Sequence, residues 1–199
     1  MRWRNSAALA LGLALAGCAG PRLASDTPVK IGPPYQVRGR WYVPADDRGY
    51  DAVGYASWYG REHRGSATTN GERFAPARIS AAHTTLPLPS YVEVTALDSG
   101  RRILVRINDR GPFGGGRLID LSEGAAEALG VRRGGQAPVA IRRVFPSESD
   151  RRALRRGRAA APLPSAPPAA LAALRARLST PPQRYGAPPP PGLSGPPQE

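Results

Sequence analysis

The sequence predicts a mainly β chain organised around one small closed barrel, and three observations predict it. Between residues 53 and 145, short apolar runs alternate at period two and are separated by turn residues, the pattern of half-buried strands. That stretch contains a single convincing helical segment, Leu121 to Leu129. None of the runs is long enough to leave a flat unpaired edge, so closure into a barrel is the natural way to satisfy the backbone.

The elements follow in chain order. Met1 to Asn5 is short and basic, and Ser6 to Ala16 is apolar but too short to span a bilayer as a mature helix. It ends in Leu15-Ala-Gly-Cys18, which resembles a bacterial lipobox. Residues 1–17 therefore read as a lipoprotein signal peptide and Cys18 as the lipidation site. Cys18 is the sole cysteine, which excludes disulfides, thiol catalysis and cysteine metal sites together. Residues 18–34 read as a polar tether, and 35–52, with Tyr35, Trp41 and Tyr42, as an extended arm packing on the barrel.

Within the barrel, Tyr91 to Leu97 puts Val92, Val94 and Ala96 on one face, and Ile103, Val105 and Ile107 do the same in the next run. Asp98-Ser99-Gly100 between them suits a hairpin. Asp120 or Ser122 can cap the helix, and Gly130 stands where a left-handed residue closes one. Ala137 to Val144 is a closing strand with Val139 and Ile141 inward.

Residues 146–199 are rich in proline, alanine and arginine and read as a disordered tail with too few bulky apolar groups to offset chain entropy. Leu171, Leu174 and Leu178 have helical spacing, enough for a short helix on a partner or membrane surface.

The formal charge is +13, carried by arginine apart from Lys30. Such a balance suits a polyanionic neighbour. An exported chain makes nucleic acid an unsuitable partner, which leaves anionic lipid or an acidic wall polymer.

Several chemistries lack their residues. Gly114-Gly115-Gly116 is followed by Arg-Leu rather than the Lys-Ser/Thr of a phosphate loop, and His63 and His83 are the only histidines. No metal or cofactor is expected. What remains is Glu72 after an Asn70-Gly71 turn, His83, and Asp109 at a strand end beside Arg110. Each also has an ordinary reading, as a surface acid, a packed edge residue and a turn cap respectively.

Five blocks, GYASWYG (54–60), TTNGERF (68–74), SAAHTTLPL (80–88), VRINDRGPF (105–113) and GRLIDLSEGAAEALG (116–130), resemble the rare lipoprotein A family in order. The resemblance implies a six-stranded double-psi β-barrel and an endolytic lytic transglycosylase. Such an enzyme acts on peptidoglycan glycan strands poor in stem peptides, leaving 1,6-anhydro-muramoyl ends. It implies catalytic roles for Asp109, Glu72 and His83, with Asp109 as acid and base.

Substrate-binding candidates are Trp58, Tyr59, Asn70, Arg106, Arg110, Phe113 and Arg117. The resemblance also implies a monomeric periplasmic lipoprotein, held in the outer membrane through Cys18 and met by cell-division proteins at the septum. Thr69 replaces the alanine common in the family, and the sporulation-related glycan-binding domain of many members is not recognisable in the tail. The alternative reading is a non-catalytic glycan-binding lipoprotein with an expansin-like barrel.

Overall fold

The computed structural model describes residues 24–179. Signal segment and lipidation site, together with the last twenty residues, lie outside the described residues. Strands β1 (Tyr35–Val37) and β2 (Arg40–Tyr42) form a hairpin. Six more close the barrel: β3 (Asp51–Tyr59), β4 (Ser80–Ala82), β5 (Ser90–Ala96), β6 (Arg102–Asp109), β7 (Arg117–Ser122) and β8 (Gln136–Arg143). Their order around the barrel is β3-β7-β4-β6-β5-β8. Two pairs are parallel, β3 with β7 and β4 with β6, and the remaining four are antiparallel. The strands run from 51 to 143, close to the expected limits.

Alternation fills the barrel. Ala56, Ala81, Val92, Val94, Val105, Ile107, Ile119, Leu121, Val139 and Ile141 are all buried in one cluster. The helix α1 (Glu123–Leu129) plugs against it with Ala125, Ala126 and Leu129. Of the two candidate caps, Ser122 is the one used: its hydroxyl accepts from Ala125 N at 3.2 Å, and Gly130 closes the helix at φ 82°. Asp120 lies inside β7, two residues before the cap, so it does not serve the helix.

Two expectations are corrected. From Ala24 onward the tether is packed: Ala24 is buried, and Asp26 accepts from Tyr91 Oη at 2.6 Å and from Arg155. Lys30 exchanges backbone hydrogen bonds with Leu88. The expected disordered tail is folded through Ser179. Helix α2 (Glu148–Arg155) is capped by Ser147 and buries Leu154 in the barrel cluster. Helix α3 (Pro168–Ser179) packs Leu171, Leu174 and Leu178 against Leu97 and Ala140.

Arg175 donates to Leu97 O at 2.9 and 2.5 Å, and Arg177 pairs with Asp51. Helices of this length are marginal alone. The barrel supplies the apolar partner that the composition of the tail lacks, so the leucine stripe is satisfied within the chain.

Candidate active site on the outer barrel wall

The site is built on the outward faces of β3, β7, β4 and β6. Pairing across these strands sets Ser57 beside Asp120, Asp120 beside Ala82, and Ala82 beside Asp109. Paired residues share a face. The four therefore stand in one row, opposite to the face on which Ala56, Leu121, Ala81 and Ile107 fill the core. Two register steps make the row possible. Between Ala81 and Ala82 the β6 partner moves from Ile107 to Asp109, so Asn108 is an extra residue. Between Tyr55 and Ala56 the β7 partner moves from Arg117 to Ile119. Such bulges re-aim side chains beside clefts.

Asp109 is held at the end of β6. Its Oδ1 accepts from Thr69 N at 2.9 Å, Thr69 Oγ1 at 2.7 Å and Arg110 N at 2.8 Å. The departure at Thr69 thus adds a hydroxyl donor to this corner. Gly111 follows at φ 134°, a conformation open to glycine, and a Cβ there would stand 3.7 Å from that of Ala82. The backbone of the Gly-Pro corner therefore crosses close above the row.

Asp120 is more enclosed. Its Oδ1 accepts from Ser57 Oγ at 2.5 Å and lies 3.4 Å from Arg117 Nε. Burial raises its pKa, against the lowering exerted by the Ser57 hydroxyl and the Arg117 charge. Tyr59, two residues along β3 from Ser57, has its pKa raised by burial and then by the charges of Asp109 and Asp120. Its buried hydroxyl lies beside Ser80 but makes no hydrogen bond of normal geometry. Arg117 and Tyr59 are thus the substrate-binding candidates gathered around this row.

Glu72 and His83 stand differently from what the resemblance implies. Arg106 Nη1 donates to both Glu72 oxygens at 2.6 and 2.7 Å, Asn108 Nδ2 at 2.9 Å and Asn70 Nδ2 at 2.9 Å. Four bonds from three side chains fix the carboxylate and with it the Thr68–Glu72 turn that carries Thr69 to Asp109. The Arg106 side chain is 2% exposed and bridges Glu72 to Asp26 and Ser25 O, so it is a buried tie and not a surface group for substrate. Asn70 likewise turns inward, to Glu72 and Thr68.

His83 is 1% exposed. Its Nδ1 accepts from Thr85 N at 3.2 Å and Leu86 N at 3.1 Å, which places the ring proton on Nε2, donated to Tyr50 Oη at 3.0 Å. Burial, with the nearby Arg110 charge, lowers its pKa to about 3. The imidazole is thus enclosed and bonded at both ring nitrogens, and it shapes the Thr84–Leu86 turn.

The remaining candidates divide. Trp58 alternates to the inner side, donates to Arg132 O at 3.1 Å and packs against the core, so it offers no stacking face to the row. Arg110 spends its guanidinium on the carbonyls of His83, Leu86 and Ile31, pinning the tether rather than reaching for an acid. Phe113 joins Tyr35 and Tyr42 in an edge-on aromatic cluster. With Pro33, Val37 and Pro44 it lines an apolar groove of about 420 Å³, whose rim carries Thr69 and Arg110. Sequence reasoning missed this groove and the row position of Asp120. The signal for the second was present: Asp120 alternates with the apolar Ile119 and Leu121.

A closed barrel of two parallel and four antiparallel pairings, with two aspartates flanking an alanine on its outer wall, defines a double-psi β-barrel that carries a pair of acids on one face. Comparison with known proteins makes this specific: residues 51–141 match the family described as lytic transglycolase. The chain is 52% identical over 114 residues to the endolytic peptidoglycan transglycosylase RlpA of Pseudomonas aeruginosa strain UCBPP-PA14, covering 57% of this chain and 33% of that one.

It is 45% identical over 116 residues to the Neisseria meningitidis serogroup B protein of the same name, covering 58% and 48%. With that of Vibrio cholerae it is 40% identical over 155 residues, covering 65% and 59%. The chain thus spans between about a third and three fifths of these relatives' lengths. Among solved structures, the Streptomyces papain inhibitor matches at TM-score 0.41 and 22% identity over 51% of this chain and all of its own.

Proposed function

We propose that the chain is an endolytic peptidoglycan transglycosylase that breaks the β-1,4 bond between N-acetylmuramic acid and N-acetylglucosamine and leaves 1,6-anhydro-muramoyl ends. The observation that carries this is the Asp109–Ala82–Asp120 row on the outer wall of a barrel that matches the lytic transglycolase family. No water enters such a cleavage: the C6 hydroxyl of the muramoyl sugar attacks its own C1. Asp109 is the group that takes the proton of this hydroxyl. Thr69 and Arg110 hold it through one oxygen and so fix where the other points. A positioned base of this kind contributes about 10²–10⁴-fold.

Glycan poor in stem peptides is the substrate that the family resemblance implies, with Arg117 beside the row as a contact for it. The Leu-Ala-Gly-Cys18 sequence supports lipid anchoring through Cys18, with Ala19 favouring the outer membrane, and so a periplasmic place at the wall or septum.

Digestion of purified sacculi, with and without stem peptides, tests the reading by mass. Anhydro-ended fragments are expected, and Asp109→Asn should lose release while keeping the fold. Fragments heavier by one water would replace the transglycosylase with a hydrolase. Retained sedimentation with sacculi and no release from either substrate would make the chain a binding module.

A further inference from the structure

We propose that Asp120 is a second catalytic residue, the carboxylic acid that protonates the departing glycosidic oxygen while Asp109, across Ala82, receives the proton of the attacking hydroxyl. The inference rests on the transglycosylase reading above and assigns the half of the proton work that Asp109 leaves undone.

Geometry carries it. Asp109 and Asp120 both pair with Ala82 from opposite sides, so their Cα atoms stand two strand spacings apart, about 10 Å, with side chains on one face. Ala82 between them is 5% exposed beneath the Gly111 backbone, whereas the Asp120 side chain is 16% exposed and reaches the surface beside it. Asp120 does not serve the helix, since Ser122 caps α1, and its contacts to Ser57 and Arg117 engage one carboxylate oxygen, Oδ1. The groups facing it are Ser57 and Tyr59 from β3, Arg117 from its own strand, and Asp109 beyond Ala82 on β6.

The three acids near the cleft differ in kind. Glu72 is enclosed by four donated bonds, and Asp109 receives two backbone N–H groups and a hydroxyl. Asp120 is held by one hydroxyl and the Arg117 charge, and burial raises its pKa against both, the direction a proton donor requires.

In the step, the Asp120 O–H proton passes to the glycosidic oxygen as the C1–O bond breaks. The bonding pair leaves with that oxygen, which becomes the 4-hydroxyl of the departing N-acetylglucosamine. The C6 oxygen bonds to C1, and its proton goes to Asp109. Exchange with solvent then returns Asp109 to its anion and Asp120 to its acid, and no water is consumed.

The test compares leaving groups. Denuded glycan strands need a protonated leaving oxygen. A 2,4-dinitrophenyl β-glycoside of a muramoyl-ended oligosaccharide does not, because dinitrophenolate departs unaided. Asp120→Asn, which can still accept from Ser57, should lose about 10²–10⁴-fold on glycan and remain within about tenfold of the unaltered protein on the activated glycoside, since only the acid's contribution is missing there. Asp109→Asn should be slow on both.

Asp120→Asn that cleaves glycan at the unaltered rate, or is equally impaired on both substrates, overturns the assignment. Ser57→Ala gives an independent reading should the first variant fold poorly. Loss of a donor that favours the anion should move the alkaline limb of the kcat/KM profile to higher pH. An unmoved limb overturns the assignment. If the unaltered protein forms no anhydro ends from either substrate, the functional reading itself falls, and this assignment with it.

Discussion

Arg106 is the point at which the stability of the barrel and the order of the site meet, and replacing it with methionine removes the charge while keeping a long unbranched side chain. Its guanidinium is 2% exposed and holds Glu72, 16% exposed, at 2.6 Å. Without it Glu72 keeps only Asn70 and Asn108, and Ser25 O loses its donor. Asp26 retains Tyr91 and Arg155. Removing one partner of a buried pair costs 3–5 kcal/mol in general.

The residual access of Glu72 to water and its two remaining donors put Arg106→Met at the lower end, about 3 kcal/mol. For a chain of this size that lowers Tm by about 6–12 °C. Glu72→Gln leaves the arginine with only the longer contact to Asp26 and the Ser25 carbonyl, and should cost a similar amount. The double variant removes both charges and should lose less than the two singles together, with a coupling of about 1.5–3 kcal/mol. Urea and thermal unfolding of the four proteins give the cycle directly. Additivity within about 0.5 kcal/mol would refute the tie. So would a Glu72→Gln variant of full stability that has lost cleavage as completely as Asp109→Asn, because that result would put Glu72 in the chemistry.

Three further outcomes follow from the same coordinates. His83 should make stability pH-dependent: its folded pKa of about 3 lies below the unfolded 6.5, so between these values the unfolded chain takes up a proton that the native one refuses. The stability of the neutral imidazole is therefore complete above pH 6.5 and is lost as pH falls, by about 1.4 kcal/mol per unit. His83→Gln should flatten that slope in urea titrations at pH 7, 6 and 5, and an unchanged slope would refute it. Leu154→Ala should cost about 2–5 kcal/mol if α2 is part of the core, whereas a free tail would leave unfolding unchanged. Gly124→Ala, favoured by helix propensity, should instead destabilise by about 1–3 kcal/mol, because the new methyl would meet the carbonyl of Ala77. Increased stability in thermal melts would contradict the packing.

What was legible in the sequence and what was not separates along physical lines. Alternation located β5, β6 and β8, and the Asp98–Gly100 turn joined two of them correctly, because each signal is local and periodic. The tail was misread because composition averages over many residues. A few leucines suffice for folding when a barrel already presents Leu97 and Ala140 to receive them. The candidate site shows the same division more sharply. The blocks that carry Glu72, His83 and Asp109 are legible as a family pattern, but a pattern records that a residue is needed and not what it touches.

Only the pairing of β4 with both β6 and β7 reveals that Ala82 sets two aspartates, eleven residues apart in sequence, in one row. The run Arg117 to Ser122 offers two possible caps, Asp120 and Ser122, and the alternation of Asp120 with Ile119 and Leu121 is the signal that separates them. A cap needs its oxygen at the first free N–H groups, and Ser122 occupies that position. Asp120 faces outward because Ile119 and Leu121 must face inward. The demand of the core for those two neighbours is what places the acid on the outer wall in line with Asp109, so the binary pattern that builds the barrel also sets its acids on one face.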